Sequence, residues 1–347
     1  MRQLAIALLA LLVAGSAAAQ TPTPAPATGP FAGKRLTIYI ASSPIGGVGY
    51  DTYGRVMAKY IGKYLPGHPT VVPENRPGAG GLTLANYLYN AAQKDGSEIG
   101  LLLRGNGMDP LLNPDAANAD KFDGKKFLWL GSMNNEVAGF YITDKARVKS
   151  LDDVLAGKEL IVGSSGAGSD PQMFSVLMNS IFHTKLKIIA GYPGMNEILM
   201  GMRTGELEGV LGYSWSAARI TSIDDLKSGA VKVIMQLALA KHPDLPDVPL
   251  VTDLVKNPDD KQVLELIFAR QSMGRPFAAP PGLPPQIGAA LRKGFADAMH
   301  DPDLIAECRR INMEISFVSG EEIQTLIDRL YSFPKSVLAR GQKIAAQ

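Results

Sequence analysis

Val71-Val72-Pro73-Glu74-Asn75-Arg76-Pro77-Gly78-Ala79-Gly80-Gly81 passes from two β-formers through two prolines into a glycine turn, and the order of elements around that turn decides the fold. Pro73 and Pro77 are expected to end any strand, and the glycines let the backbone turn with no Cβ in the way. Beyond them Leu84, Leu88 and Ala92 share a helical stripe with Ala85 and Tyr89 beside it. A strand, a glycine loop and a helix N-terminus therefore come in succession. Unpaired N–H groups and the positive end of the helix dipole make such a junction an anion site without any charged side chain.

The arrangement recurs. Ser42-Ser43-Pro44-Ile45-Gly46-Gly47-Val48-Gly49-Tyr50-Asp51 follows an alternating strand, in which Leu36, Ile38 and Ile40 share a face, and precedes a helix reaching about residue 65. Gly163-Ser164-Ser165-Gly166-Ala167-Gly168-Ser169-Asp170 follows the run 160–162 and precedes a helix over 171–182, with Ser169 or Asp170 as its cap. Asp51 is an expected cap for the earlier helix. Residues 70–72 and 99–103 supply two further strands, so the order strand, helix, strand, helix, strand predicts a parallel sheet covered on both faces. Its loops at the carboxyl ends of the strands would form a ligand crevice. Arg104 lies at such an end and is a candidate partner for a carboxylate.

A second alternation begins after the apolar runs 127–130 and 137–142, with strands over 160–162, 186–189, 206–211 and 231–235. Helices are expected over about 195–203, 215–227 and 251–270, residues 275–281 lead back to the first sheet, and two amphipathic helices close the chain from 283. The resulting division is a discontinuous first domain, residues 33–135 and 260–347, and a second domain, residues 136–259.

Residues 1–19 have the layout of an export signal: Arg2, an apolar stretch over 4–13, and Ala17-Ala18-Ala19 before Gln20. Residues 20–32 read as a Pro-rich spacer, and no later stretch has the length and apolarity of a membrane span. The 347 residues carry 35 Lys and Arg against 33 Asp and Glu, a net charge of +2 with no basic run, which argues against a nucleic-acid partner. Cys308 has no second cysteine to pair with, so the core must supply the stability. Its expected environment is half-buried.

Enzyme motifs are missing. Gly163-Ser164-Ser165-Gly166-Ala167 has alanine where G-x-S-x-G needs its second glycine, every Gly-Lys pair lacks the Ser or Thr of a P-loop, and no loop fits G-x-G-x-x-G. His68, His183, His242 and His300 have no metal-ligand spacing and read as surface or cap residues. No cofactor, metal or catalytic residue is expected.

Val72-Pro73-Glu74-Asn75-Arg76-Pro77-Gly78-Ala79-Gly80-Gly81, then Asp95-Gly96, the 164–169 loop and Pro246-Asp247-Val248-Pro249 resemble, in order, the Bug-type substrate-binding proteins of tripartite tricarboxylate transporters. The resemblance spans residues 35–327. It implies the type II periplasmic-binding-protein fold, two α/β domains around an interdomain cleft that closes on a small organic carboxylate, with loop backbone groups and ordered waters on one carboxylate. It also implies a monomer in the periplasm with membrane transporter subunits as partners. The ligand-binding candidates are then Ser43, Ile45, Gly46, Gly47 and Asp51 in the first loop, Gly78, Ala79 and Gly80 in the second, and Arg104. Ser164, Ser165, Gly168, Ser169, Tyr192 and Trp215 complete them. Two loops depart from the family: Ile45 follows Pro44 where the family has glycine, and Ala190-Gly191-Tyr192-Pro193-Gly194 lacks the usual lysine. The alternatives are a receptor feeding a sensor kinase and, from a different class, an α/β hydrolase-like enzyme. Mass spectrometry of the exported protein should show Gln20 as the first residue; a full-length cytoplasmic product would contradict the export signal.

Overall fold

The structure, a computed structural model, describes residues 28–42, 44, 49–114, 121–166 and 169–347. Its strands are β1 (Arg35–Ile40), β2 (Thr70–Asn75), β3 (Glu98–Leu101), β4 (Leu128–Ser132), β5 (Ala138–Thr143) and β6 (Glu159–Gly163). Next come β7 (Lys185–Ile189), β8 (Gly209–Ser214), β9 (Val231–Leu237), β10 (Pro276–Ala279) and β11 (Val318–Ser319). The helices are α1 (Tyr50–Tyr64), α2 (Leu82–Asn90), α3 (Asp109–Leu112), α4 (Leu151–Leu155), α5 (Asp170–Phe182), α6 (Met195–Thr204) and α7 (Trp215–Thr221). The later ones are α8 (Ile223–Ser228), α9 (Pro258–Ser272), α10 (Pro285–Met299), α11 (Pro302–Arg310), α12 (Gly320–Tyr331) and α13 (Lys335–Ala345). Among the described residues no helix is long and apolar enough to cross a membrane.

Two mixed sheets result, in the orders β11-β4-β10-β3-β1-β2 and β7-β6-β8-β5-β9. β1 runs parallel to β2 and β3, as the strand-helix alternation predicts, so the loops after all three leave the same edge. β10 returns from far along the chain to pair antiparallel with β3 and β4. In the second sheet β6 is parallel to β7 and β8, and β5 is antiparallel to β8 and β9. On one face of the first sheet Leu36, Ile38 and Ile40 pack with Tyr53, Met57 and Ile61 of α1 and Leu291 and Phe295 of α10. Each such fully buried side chain is worth on the order of 1.5–3 kcal/mol. Leu84 and Leu88 of α2, with Trp129 and Ile323, belong to the larger core that continues into the second sheet through Phe140, Val162 and Phe174. Phe174 of α5 meets Phe268 of α9 at 4.8 Å between ring centroids, which joins the two halves behind the cleft.

Several expectations need correction. β2 does not stop at Val72 but continues through Pro73, which pairs with Ile38; β2 is an edge strand, where a missing N–H costs no ladder bond. The helix expected over 215–227 is broken at Ser222, and the one over 251–270 starts at Pro258 behind the side-chain cap of Asn257. Four helices, not two, come after residue 283, separated by caps such as Asp301 and the Ser319–Glu322 capping box. Asp51 does not cap α1. Gly49 holds that position, and Asp51 lies in the first turn, where its negative charge still favours the helix.

Cys308 is fully buried rather than half-buried, and burial, with the charge of Glu307, pushes its thiol up to about 11. At pH 8 a thiol reagent should therefore label the native protein only as fast as it opens, and denatured protein at once. Immediate stoichiometric labelling of the folded protein would contradict this packing.

Candidate functional site

The charged half of the 71–81 stretch is scaffold. Glu74 pairs with Arg35. Asn75 Nδ2 donates to the Ser42 carbonyl (2.8 Å) and to Asp51 Oδ1 (2.7 Å), while its Oδ1 accepts from Arg55 Nη2 (2.7 Å). One amide thus ties the end of β2 to the loop after β1 and to α1. The guanidinium of Arg76 lies 3.4 Å from the centroid of Tyr87 and 5.5 Å from that of Tyr39, a cation–π stack over α2 and β1.

The glycine half forms a left-handed turn: φ is +46° at Ala79, +61° at Gly80 and +89° at Gly81. Gly81 is required there, since a Cβ would stand 2.3 Å from Asn106 Oδ1. Asn106, buried after β3, accepts from the Leu103 N–H (2.9 Å) and donates to the Gly80 carbonyl (3.0 Å) and Asp109 Oδ2 (2.9 Å). The turn consumes the Gly81 N–H, bonded to Gly78 O at 2.9 Å, and the Leu82 N–H, bonded to Ala79 O. The expected anion site over residues 78–82 therefore narrows to the N–H groups of Ala79 and Gly80, which have no acceptor among the described residues and line a cleft.

That cleft, about 530 Å³, has the size of a small-ligand site. Tyr50, Ala79, Gly80 and Arg104 face it from the first sheet, Ser165, Asp170, Met195 and Gly212 from the second, and Arg270 from α9. At its base the carboxylate of Asp170 pairs with Arg104 through Oδ2 and with Arg270 Nη1 through Oδ1 (3.3 Å). Arg104 Nη1 also donates to Gln271 Oε1 (3.2 Å), and its backbone N–H donates to the Tyr50 hydroxyl (3.0 Å). Burial opposes the charge on Arg104, but Asp170, followed by Tyr50 and Glu136, holds its pKa above the ordinary value. Burial raises the Asp109 carboxyl, against Asn106 and Arg270, which lower it. Asp170 reaches this place because Gly212, at φ +82°, lets β8 run against the start of α5; a Cβ there would lie 2.9 Å from the Asp170 backbone.

Of the residues expected in the site, Ala79, Gly80, Arg104 and Ser165 line the cleft. Arg104 is not free there, because a carboxylate of the protein itself already holds it. Gly78, Asp51, Ser164, Ser169, Tyr192 and Trp215 do not line it. Asp51 is bound to Arg55 Nε (2.9 Å) and Asn75. Ser164 Oγ accepts from the Gly166 N–H (2.9 Å), and Ser169 caps α5 while donating to Gly166 O (2.6 Å). Tyr192 packs against the cluster around Ile198, where burial and then Glu206 push its phenol up to about 12. Ser43, Ile45, Gly46, Gly47 and Gly168 lie outside the described residues.

Trp215 instead belongs to a second link between the halves. Its Nε1 donates to Asp244 Oδ2 (3.3 Å), and its ring lies against His242. His242, expected at the surface like the other three histidines, is only 8% exposed. Its Nε2 stands 3.0 Å from Glu314 Oε1, and Arg219 Nη1 reaches both Glu314 (3.2 Å) and Asp244 (3.1 Å). His68, His183 and His300 are exposed as expected.

Sequence reading missed Arg270, Asp109 and the pairing role of Asp170. The one signal was an arginine ending a helix whose preceding residues, Leu266 to Ala269, are all apolar; an arginine adjoining such a run needs an acid partner.

No protein-family profile and no curated protein matches the chain. Solved structures do match its fold. A TctC solute-binding protein from Polaromonas is 18% identical over 90% of this chain and 98% of that one, with a TM-score of 0.67. Rpa4515 of R. palustris, solved with adipate, is 17% identical over 90% and 96%, TM-score 0.59. MatC from Rhodopseudomonas palustris, solved with malate, is 18% identical over 90% and 99%, TM-score 0.58. The fold is thus that of the two-domain periplasmic solute-binding proteins.

Asn106→Ala should lower stability by about 1–3 kcal/mol, because it leaves the Leu103 N–H and the Gly80 carbonyl without partners. The urea midpoint should fall with the slope unchanged; an unaltered midpoint would contradict the role given to Asn106.

Proposed function

We propose that the protein is an exported receptor that binds a small organic carboxylate in the cleft and delivers it to the membrane subunits of a tripartite tricarboxylate transporter. The observation that carries the reading is that Ala79 and Gly80, just before α2, line a cleft between two sheets and have backbone N–H groups with no acceptor among the described residues. The cleft size, the two arginines at its base and the likeness in fold to solute-binding proteins, two of them solved with dicarboxylates, support it. Residues 33–135 with 260–347, and 136–259, are the two domains that would close on the ligand. An export signal at residues 1–19 would take the receptor to the periplasm, where it would act as a monomer. Catalysis is disfavoured by the surroundings of Ser165, which has no histidine beside it among the residues lining the cleft.

A panel of carboxylates should contain one that raises the melting temperature, since binding at a hundredfold excess over Kd stabilises the native state by about 2.7 kcal/mol. Ala79→Asp should weaken that ligand by about several hundredfold. Two like charges near 4 Å cost on the order of 4 kcal/mol at an effective dielectric near 20. Its effect on stability should stay below about 1 kcal/mol, because an acid is favourable at a helix N-terminus and Asp tolerates the positive φ. Ala79→Asn separates charge from bulk. Wild-type affinity in Ala79→Asp would contradict the amide site, and response to neutral sugars alone would contradict the carboxylate class.

A further inference from the structure

The base of the cleft is nearly balanced before any ligand enters. Arg104 and Arg270 are the only cations lining it among the described residues, and the single carboxylate of Asp170 spans both. Asp109 adds a second acid to the lining. Nearby charges are engaged elsewhere: Glu136 accepts from Ser216 Oγ (2.6 Å), and Arg275 stacks on Tyr50 and Tyr53. Much of the remaining lining is apolar, contributed by Leu82, Leu103, Met108, Leu112, Met173 and Met195.

We infer that the cleft selects a monocarboxylate with an apolar body over the matching dicarboxylate, with Asp170 as the residue that sets this preference. The inference rests on the carboxylate-receptor reading above. One carboxylate has the Ala79 and Gly80 N–H groups to meet it. Among the described residues a second would find apolar side chains, the uncharged Tyr50, Asn113 and Ser165, or two arginines already shared by Asp170, whose like charge repels it. Removing the charge of Asp170 frees both guanidiniums for a forked contact with that second carboxylate.

Isothermal titration with the pairs butyrate and succinate, hexanoate and adipate, benzoate and terephthalate tests this. Whichever pair binds wild type, the monocarboxylate should bind at least about tenfold tighter, and Asp170→Asn should shift the ratio at least about tenfold towards the dicarboxylate. A dicarboxylate that binds wild type tighter than its partner overturns the selectivity while leaving the receptor reading intact, as does an unchanged ratio in a folded Asp170→Asn. Failure of every mono- and dicarboxylate to bind overturns the receptor reading and the selectivity with it. The wild-type ratios decide the selectivity even if Asp170→Asn does not fold.

Discussion

The carboxylate of Asp170, held between Arg104 and Arg270, is the contact on which the arrangement of the cleft depends. It starts α5 on the second sheet, yet its partners come from the end of β3 and from α9. Taking these charges out of water is costly, and their mutual attraction roughly offsets that cost rather than adding large stability. Its value is positional. Losing the acid would leave two mostly buried guanidiniums without their shared partner, which is penalised on the order of 3–5 kcal/mol where such pairs are fully buried.

A second contact, His242 and Arg219 on the carboxylate of Glu314, ties the loop after β9 and α7 to the segment between α11 and β11. Between the two contacts the chain crosses from one sheet to the other. There the crossing segments lie side by side: the Glu136 N–H donates to Gln271 O (2.9 Å) and the Gly274 N–H to Asn134 O (3.2 Å). Closure around a ligand would have to act through this paired crossing, because α9 and α13 pack against both halves.

Much of the fold was legible because it follows from local periodicity. Leu36, Ile38 and Ile40 announce β1 by alternation, and Leu84 and Leu88 announce α2 by a helical stripe. Pro73 misled, since its cost depends on whether the strand is an edge, and edge position is a property of the finished sheet. Of the residues that line the cleft, Ala79 and Gly80 were legible, because a glycine loop ahead of a helix is a local pattern. The lining was illegible where side chains meet across long sequence gaps: Arg104, Asp170 and Arg270 stand far apart in the chain, and nothing local marks them as partners. The same holds for His242, whose partner Glu314 comes from the other half. Glu74 to Arg76, the charged part of the 71–81 stretch, brace the neighbouring strand, loop and helices.

The most direct test of the central claim is a crystal structure of the protein with a bound carboxylate. A carboxylate oxygen should lie about 2.7–3.2 Å from the backbone nitrogen of Ala79 or Gly80, with Asp170 closing the base of the cleft beneath it. A ligand seated outside the cleft, or within it but touching neither amide, would contradict the account.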